Sequence, residues 1–325
     1  MILIISSELD VHARSVLEAF ARRGVDNVHL LDLSDFPTRM QMDMRLDNNG
    51  HSDFAITLPG DLRVPMEEVT AVWWRRPQMF RPPETVRKPE DRHFILTEAA
   101  TAFQGMWQAS RALWVNNILR DAAAAHKPWQ LALAKRTGLS IPETLITNDP
   151  EQARAFWDTH RDEVIFKGFT ATLHAWRETR RLREADLAFA ETIQLAPVIF
   201  QRYVPAIVDL RITIIGEQVF AAEAHNEEYD LDVRLSTKLE YRPHALPPDV
   251  EDKLLRFMRQ LGLEYGAIDM RVTPEGEYVF LEVNPAGQFL YVEHSAGLPI
   301  SDAMADHLLQ GVESPSVPAY EALAG

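Results

Sequence analysis

The sequence predicts an α/β and α+β protein: a parallel α/β unit first, then antiparallel sheets with helices packed on them. Three observations carry this. Met1–Ser6 is a continuous apolar strand, residues 10–23 have helical spacing, and Val28–Leu33 is a second strand, an order that suits parallel pairing. Residues 42–72 alternate (Met42, Met44, Leu46; Phe54, Ile56, Leu58) around Asn48-Asn49-Gly50, a hairpin turn signal. Near the C-terminus, Tyr265–Val272 and Tyr278–Val283 flank Thr273–Glu277, whose Pro274 and Gly276 suit a tight connection.

In the first helix Val16, Leu17, Phe20 and Ala21 share a face, and Gly24 stops it. The loop after the first strand, Ser6-Ser7-Glu8, has no glycine-rich fingerprint, which rejects a dinucleotide site there. Val69–Trp74 reads as a strand, residues 78–92 as a loop, and Phe94–Leu113 as a long amphipathic helix, with Trp114-Val115-Asn116 as the exit from a first domain. A helix opens at His126-Lys127, with Pro128 in its first turn and Gly138 at its end. Val164–Lys167 and Ala196–Val204 are strands, and Asp209–Ile215 and Val219–Glu223 turn about Gly216. Helices follow over Val250–Leu263 and Pro299–Leu309, and the tail from Glu313, rich in Pro, Ser, Ala and Glu, reads as frayed.

The bulk numbers exclude several classes. With 325 residues the chain is long enough for two or three domains. Its net charge of −15 argues against nucleic acid as main partner, since a phosphate backbone rewards a basic face. There is no cysteine, so disulfides, thiol catalysis and Cys-ligated zinc are excluded, which suits a cytoplasmic protein. The N-terminus lacks the basic and long apolar regions of a secretory signal. No stretch approaches the roughly 18 apolar residues of a membrane span, so no membrane partner is expected.

The C-terminal hairpin carries the chemistry. Glu282 and Asn284 lie two residues apart on one strand and leave the same face, and the hairpin can bring Asp269 to them. That is a hard-oxygen set suited to Mg²⁺ held against phosphates, with a solvated acidic rim as the plain alternative. Elsewhere Asp209 and Arg211 share a strand face, where a surface ion pair is the ordinary reading. Arg75-Arg76, between two tryptophans and a proline, would ordinarily be a snorkelling surface pair, and Lys127 an ordinary solvent-facing lysine.

These residues carry a resemblance. Asp269-Met270-Arg271 followed by Leu281-Glu282-Val283-Asn284-Pro285 resembles the C-terminal metal-binding signature of ATP-grasp ligases. Lys127-x-x-Gln130-Leu131 followed by Gly138, Pro142 and Thr144 is similar to another pattern of that family, and the continuation Ala286–Tyr291 with the Trp-Arg-Arg-Pro run at Trp74–Pro77 narrows the resemblance to the microviridin-type, or graspetide, macrocyclases. The chain departs from that pattern at Ile118, where proline is common, at Arg202, where glutamate is common, and at Gly168–Leu173, where a flap richer in glycine is usual.

The resemblance implies an ATP-grasp fold with an N-terminal α/β pre-ATP-grasp domain over residues 1–115, a central lobe over 116–200 and a C-terminal lobe with a Mg²⁺ site over 201–325. It implies ATP and Mg²⁺ as cofactors: Asp269, Glu282 and Asn284 for the metal, Lys127 and Lys167 for phosphates, and Gln201, Arg202, Tyr203 and Val204 for the adenine edge. Asp209, Arg211 and Arg234 are implied in catalysis, and Arg75, Arg76 and Arg271 in substrate or phosphate contact. The implied activity is carboxylate activation through an acyl-phosphate, forming ester or amide crosslinks in a ribosomal precursor peptide. Its partner would be a precursor with a leader and an acidic core, for which Arg75, Arg76, Arg211 and Arg234 are candidates to line a basic groove, and a homodimer is left open. A ligase adding a free amino acid, and a non-catalytic ATP-binding peptide carrier, are the alternatives.

Overall fold

The computed structural model describes residues 1–48, 52–169, 179–224 and 240–313. The chain enters through β1 (Ile2–Ile5), α1 (Val11–Arg22) and β2 (Val28–Leu31). All four residues of β1 are buried, the physical reason for their unbroken apolar run. Asp10 caps α1, its carboxylate accepting from the His12 N–H at 3.0 Å. An antiparallel three-stranded sheet follows, made by β3 (Gln41–Leu46), β4 (Ser52–Leu58) and β5 (Leu62–Pro65). Most of the turn expected at Asn48-Asn49-Gly50 lies outside the described residues.

β6 (Ala71–Trp74), α2 (Pro89–Ala109) and β7 (Leu113–Val115) complete the first sheet, whose order is β2-β1-β6-β7, all parallel. One sequence expectation changes here. The long helix begins at Pro89, because proline in the first turn with Glu90 and Asp91 behind it is a good helix start inside the Pro-rich run. Residues 113–115 form the edge strand of this sheet, paired with β6, immediately before Asn116.

After α3 (Ile118–Ala124) and α4 (Lys127–Arg136), the second antiparallel sheet contains β8 (Thr144–Thr147), β9 (Val164–Lys167), β10 (Arg180–Arg181) and β11 (Val198–Arg202) in the order β10-β9-β11-β8. Helix α5 (Pro150–His160) and the 3₁₀ segment Glu184–Leu195 cover one face of it, through Trp157, Ala153 and Leu187. The third sheet has the order β14-β13-β12-β15-β16, from β12 (Val208–Ile215), β13 (Gln218–Ala224), β14 (Tyr241–Pro243), β15 (Tyr265–Val272) and β16 (Tyr278–Asn284). Helix α6 (Pro248–Leu261) is strongly amphipathic, and Gly262, at φ +71°, supplies its left-handed cap. The chain continues through α7 (Leu290–Ala296) and α8 (Ile300–Glu313). Residues 314–325, where a frayed tail was expected, are outside the described set.

The third sheet packs against a core on each face, and the Asp269, Glu282 and Asn284 end of one face stays partly open. One face takes Leu210, Ile212, Met270 and Phe280 into a core with α4 and α6. The other packs Ile215, Ala222 and Tyr265 against Ile4, Trp73 and Met304, so this face, α8 and the first sheet share one core.

A candidate ATP and magnesium site on the third sheet

β15 and β16 pair in regular register from Val272↔Tyr278 to Met270↔Phe280, and then the register shifts. Leu281 is the extra residue, so Asp269 faces Glu282 and Ala267 faces Asn284. Without this bulge Asp269 would face Leu281, and Glu282 would turn into the core with α4 and α6. A one-residue slip exchanges the faces of a strand. The bulge thus places both carboxylates, and the Asn284 amide, on the same face as Arg211, which lies opposite Asp269 on the neighbouring strand.

The cations follow from the same register. Asp209-Leu210-Arg211 runs antiparallel to Asp269-Met270-Arg271, so Asp209 meets Arg271 and Arg211 meets Asp269. Arg211 Nη1 donates to Asp269 Oδ1 at 2.6 Å, and Nη2 to the Gln288 carbonyl at 3.2 Å. Burial works against the Arg211 charge, but Asp269 beside it outweighs this and holds its pKa above the ordinary value. Lys127 stands at the start of α4 and donates to Glu282 Oε2. Its helix is tied to β16 by buried Gln130, which donates to the Val283 carbonyl at 2.8 Å and accepts from the Val283 N–H at 3.1 Å.

The donor set fits a magnesium ion. Among the described residues no group of three or more His, Cys, Asp or Glu could hold a metal. Asp269 and Glu282 with one amide oxygen are nonetheless the few hard ligands that Mg²⁺ takes when phosphates and water complete its shell. Asn284 Oδ1 already accepts from the Ala286 N–H at 3.0 Å, which fixes its orientation while leaving a second lone pair.

Several residues implied by the resemblance have other work. Arg271 is buried, ion-paired to Asp209 at 2.8 Å, and donates to the Val204 carbonyl at 2.9 Å while lying over the Tyr203 ring. Asp209 and Arg271 therefore tie the segment that follows β11 to the third sheet. Arg75 is fully buried, with Nε on Asp10 and Nη1 on the carbonyls of 286 and 287 while Nη2 is buried without a hydrogen-bond partner among the described residues, so it is no groove-lining surface residue. Arg76 is exposed. The Gln201 side chain is buried and donates to Thr144 Oγ1 at 3.0 Å. The Arg202 guanidinium pairs with Glu163 at 3.0 Å and its backbone N–H goes to the Glu143 carbonyl. Tyr203 N–H goes to the Glu163 carbonyl, and its ring lies under Arg181 at 4.2 Å. Lys167 ends β9 opposite Ile199. Arg234 and residues 170–173 of the flap lie outside the described residues.

Tyr241, which sequence reasoning missed, lies beside Arg211 and Asp269 with its ring 5.3 Å from that of Tyr291. Burial, then Tyr291, raises its pKa well above the usual phenol range, so it keeps its proton as a donor. Nothing in a lone strand-edge tyrosine announces this. Asp121 on α3 was also missed: one carboxylate oxygen is buried without a hydrogen-bond partner among the described residues. Burial pushes it up to about 6, opposed by a hydrogen bond from Asn116. A carboxyl raised above its unfolded pKa of about 3.9 binds more protons when folded, so it destabilises as pH rises from about 4 through 6. Asp121→Asn is expected to stabilise the protein by about 2–3 kcal/mol at pH 7.5 and by almost nothing at pH 4. Urea unfolding at the two pH values measures this, and equal effects at both would refute it.

Comparisons with known proteins show the family and the fold. Residues 1–122 match the family model described as the MvdD pre-ATP grasp domain. Macrocyclase MdnC from Microcystis aeruginosa MRC, solved with its precursor peptide MdnA, is 31% identical, with a TM-score of 0.84, over 95% of this chain and 99% of that one. A Chryseobacterium gregarium RiPP-associated ATP-grasp ligase, solved with ADP and a leader and core peptide, is 26% identical over 97% of both chains, with a TM-score of 0.86. PsnB, solved with a minimal precursor, Mg and ADP, is 26% identical over 95% of this chain and 96% of that one, with a TM-score of 0.79. No curated protein matches. The chain carries the pre-ATP-grasp domain and shares nearly a third of its residues with a macrocyclase along that enzyme's whole length, and so belongs to the microviridin-type ATP-grasp macrocyclases, a family of ATP-dependent ligases.

Proposed function

We infer that this protein binds a ribosomally made precursor peptide and uses ATP to close side-chain ester or amide rings in it. The observation that carries this is the meeting of Lys127, Arg211, Asp269, Glu282 and Asn284 on one sheet, in a chain similar over its length to a peptide-bound macrocyclase. Asp269, Glu282 and Asn284 would hold Mg²⁺, which supplies neutralisation of phosphate charge when bound. Lys127 and Lys167 would hold phosphates, and Arg211 would orient an acceptor carboxylate beside the γ-phosphate. A carboxylate oxygen then attacks the γ-phosphorus and ADP leaves. A hydroxyl or amine of the same peptide next attacks the acyl carbon, phosphate leaves, and the nucleophile's proton is lost. Each ring costs one ATP and removes one water overall. The sheet's task is to set charge in place before reaction and to keep water from the mixed anhydride. ADP release should rise with a leader-bearing peptide and not with free amino acids. The reverse would favour a ligase that adds a free amino acid, and no stimulation by either would favour a carrier.

The domain division at 115 and 200 is part of this reading. So are a cytoplasmic setting and an acidic core peptide, with a homodimer left open. Among the described residues no helix is long and apolar enough to cross a membrane. A chain at −15 repels an acidic core up to the Debye length of about 8 Å at physiological salt. Local attraction falls to Arg211 and Arg76, with Arg234 beyond the described residues. With so short a basic strip, a leader bound by apolar contact should supply most affinity. Added salt is expected to raise the Michaelis constant of an isolated acidic core more than that of the leader-bearing precursor. Equal salt sensitivity in steady-state assays would contradict this division.

A further inference from the structure

The turn after Asn284 is held mostly by groups from outside the third sheet. Pro285 O accepts from Asn116 Nδ2 at 3.1 Å. Ala286 O accepts from Arg75 Nη1 at 2.6 Å, and Gly287 O accepts from the same nitrogen at 2.9 Å and from Tyr265 OH at 2.8 Å. Phe289 N–H donates to His12 Nε2 at 3.2 Å. Arg75 and His12 belong to the first α/β unit, more than 200 residues away in sequence.

Both are themselves fixed by Asp10. One carboxylate oxygen takes Arg75 Nε at 3.2 Å and Ser6 Oγ at 2.9 Å, and the other lies 3.2 Å from His12 Nδ1. Since Nε2 accepts from Phe289, the His12 proton sits on Nδ1 and points at Asp10. Burial pushes Asp10 up, but His12, Arg75 and Ser6 together hold it far below the carboxylate range, so it stays ionised. The turn has no slack: a Cβ on Gly287 would meet Ala267 Cβ at 2.3 Å and Arg211 Nη2 at 3.0 Å. It carries Asn284 at one end, and in its middle the Gln288 carbonyl that receives Arg211.

We propose that Asp10, His12 and Arg75 are positioning residues through which the first α/β unit sets the Asn284–Phe289 turn, and with it Asn284 and Arg211. The placement of Asn284 as a cation ligand is taken from the function inferred above; the effect on the turn stands without it. An ordinary domain contact would contribute stability and leave the cation site unaffected. A positioning contact changes the site, and removing partners that orient metal ligands typically costs 10–100-fold in metal affinity or activity.

Full-length Arg75→Gln, His12→Phe and His12→Gln variants test this with two readouts besides activity. Hydrogen exchange over residues 284–291 should quicken at least tenfold in Arg75→Gln and His12→Phe, while exchange in β12 and β15 stays as in the parent. Calorimetry of ADP binding with and without Mg²⁺ should show the tightening by Mg²⁺ reduced about 10–100-fold in the same two variants. His12→Gln, whose amide oxygen can stand where Nε2 accepts, should recover most of both. If Arg75→Gln does not fold, the His12 pair carries the test. Parent-like exchange, or parent-like Mg²⁺ tightening, in a folded Arg75→Gln or His12→Phe overturns the proposal. Absence of Mg²⁺ tightening in the unsubstituted protein overturns instead the cation-site assignment.

Discussion

Glu282→Ala is expected to lower ATP-dependent product formation by about 10³-fold or more, roughly 4 kcal/mol of transition-state stabilisation. The loss is large because the β-bulge turns Glu282 onto the face of Arg211 and directly opposite Asp269, where the two carboxylates can share a cation. The fold should survive. Glu282 lies on an edge strand, partly open to solvent, and its removal leaves Val283 and Phe280 in the core with α4 and α6. A melting temperature within a few degrees of the parent, together with lost turnover, is the expected pair of results. Normal turnover at saturating ATP and limiting Mg²⁺ would remove Glu282 from the cation site.

Arg211→Ala should separate chemistry from nucleotide binding. Its guanidinium makes a two-sided contact with Asp269 and the Gln288 carbonyl, an arrangement the compact ammonium of lysine cannot copy. Losing one charge-assisted contact to a transferring phosphoryl group or its acceptor typically costs about 2–4 kcal/mol, or about 30–1000-fold in rate. ADP affinity should change by less than about threefold. Partly exposed Asp269 can be solvated when its partner is removed, so a general collapse is not expected. Weak nucleotide binding with a normal maximal rate would place Arg211 at the nucleotide instead.

The hairpin was legible because its signals are local: two β-patterned runs, Pro274 and Gly276 between them, and a period of two from Glu282 to Asn284. The bulge at Leu281 was not legible, although it decides which face Glu282 takes, because an extra residue leaves alternation on either side intact. The arginines fall along the same line. Arg211 and Asp269 stand in matching Asp-x-Arg triplets, but nothing in either triplet says that they pair with each other and not within their own strand. Arg75 looked like a surface cation because the 286–287 carbonyls that hold it are backbone atoms far away in sequence, and the Val204 carbonyl that receives Arg271 is just as hidden from a local reading. Strand β7 shows the same limit at the level of the fold: three residues carry too little pattern to announce an edge pairing with β6.

The most direct measurement is the intact mass of a leader-bearing precursor peptide with an acidic core after incubation with this protein, ATP and Mg²⁺. Loss of one water per ring, accompanied by one ADP for each water lost, is the expected result. An unchanged peptide mass despite ADP formation, or a gain equal to an amino-acid residue, would contradict ring closure as the reaction this site performs.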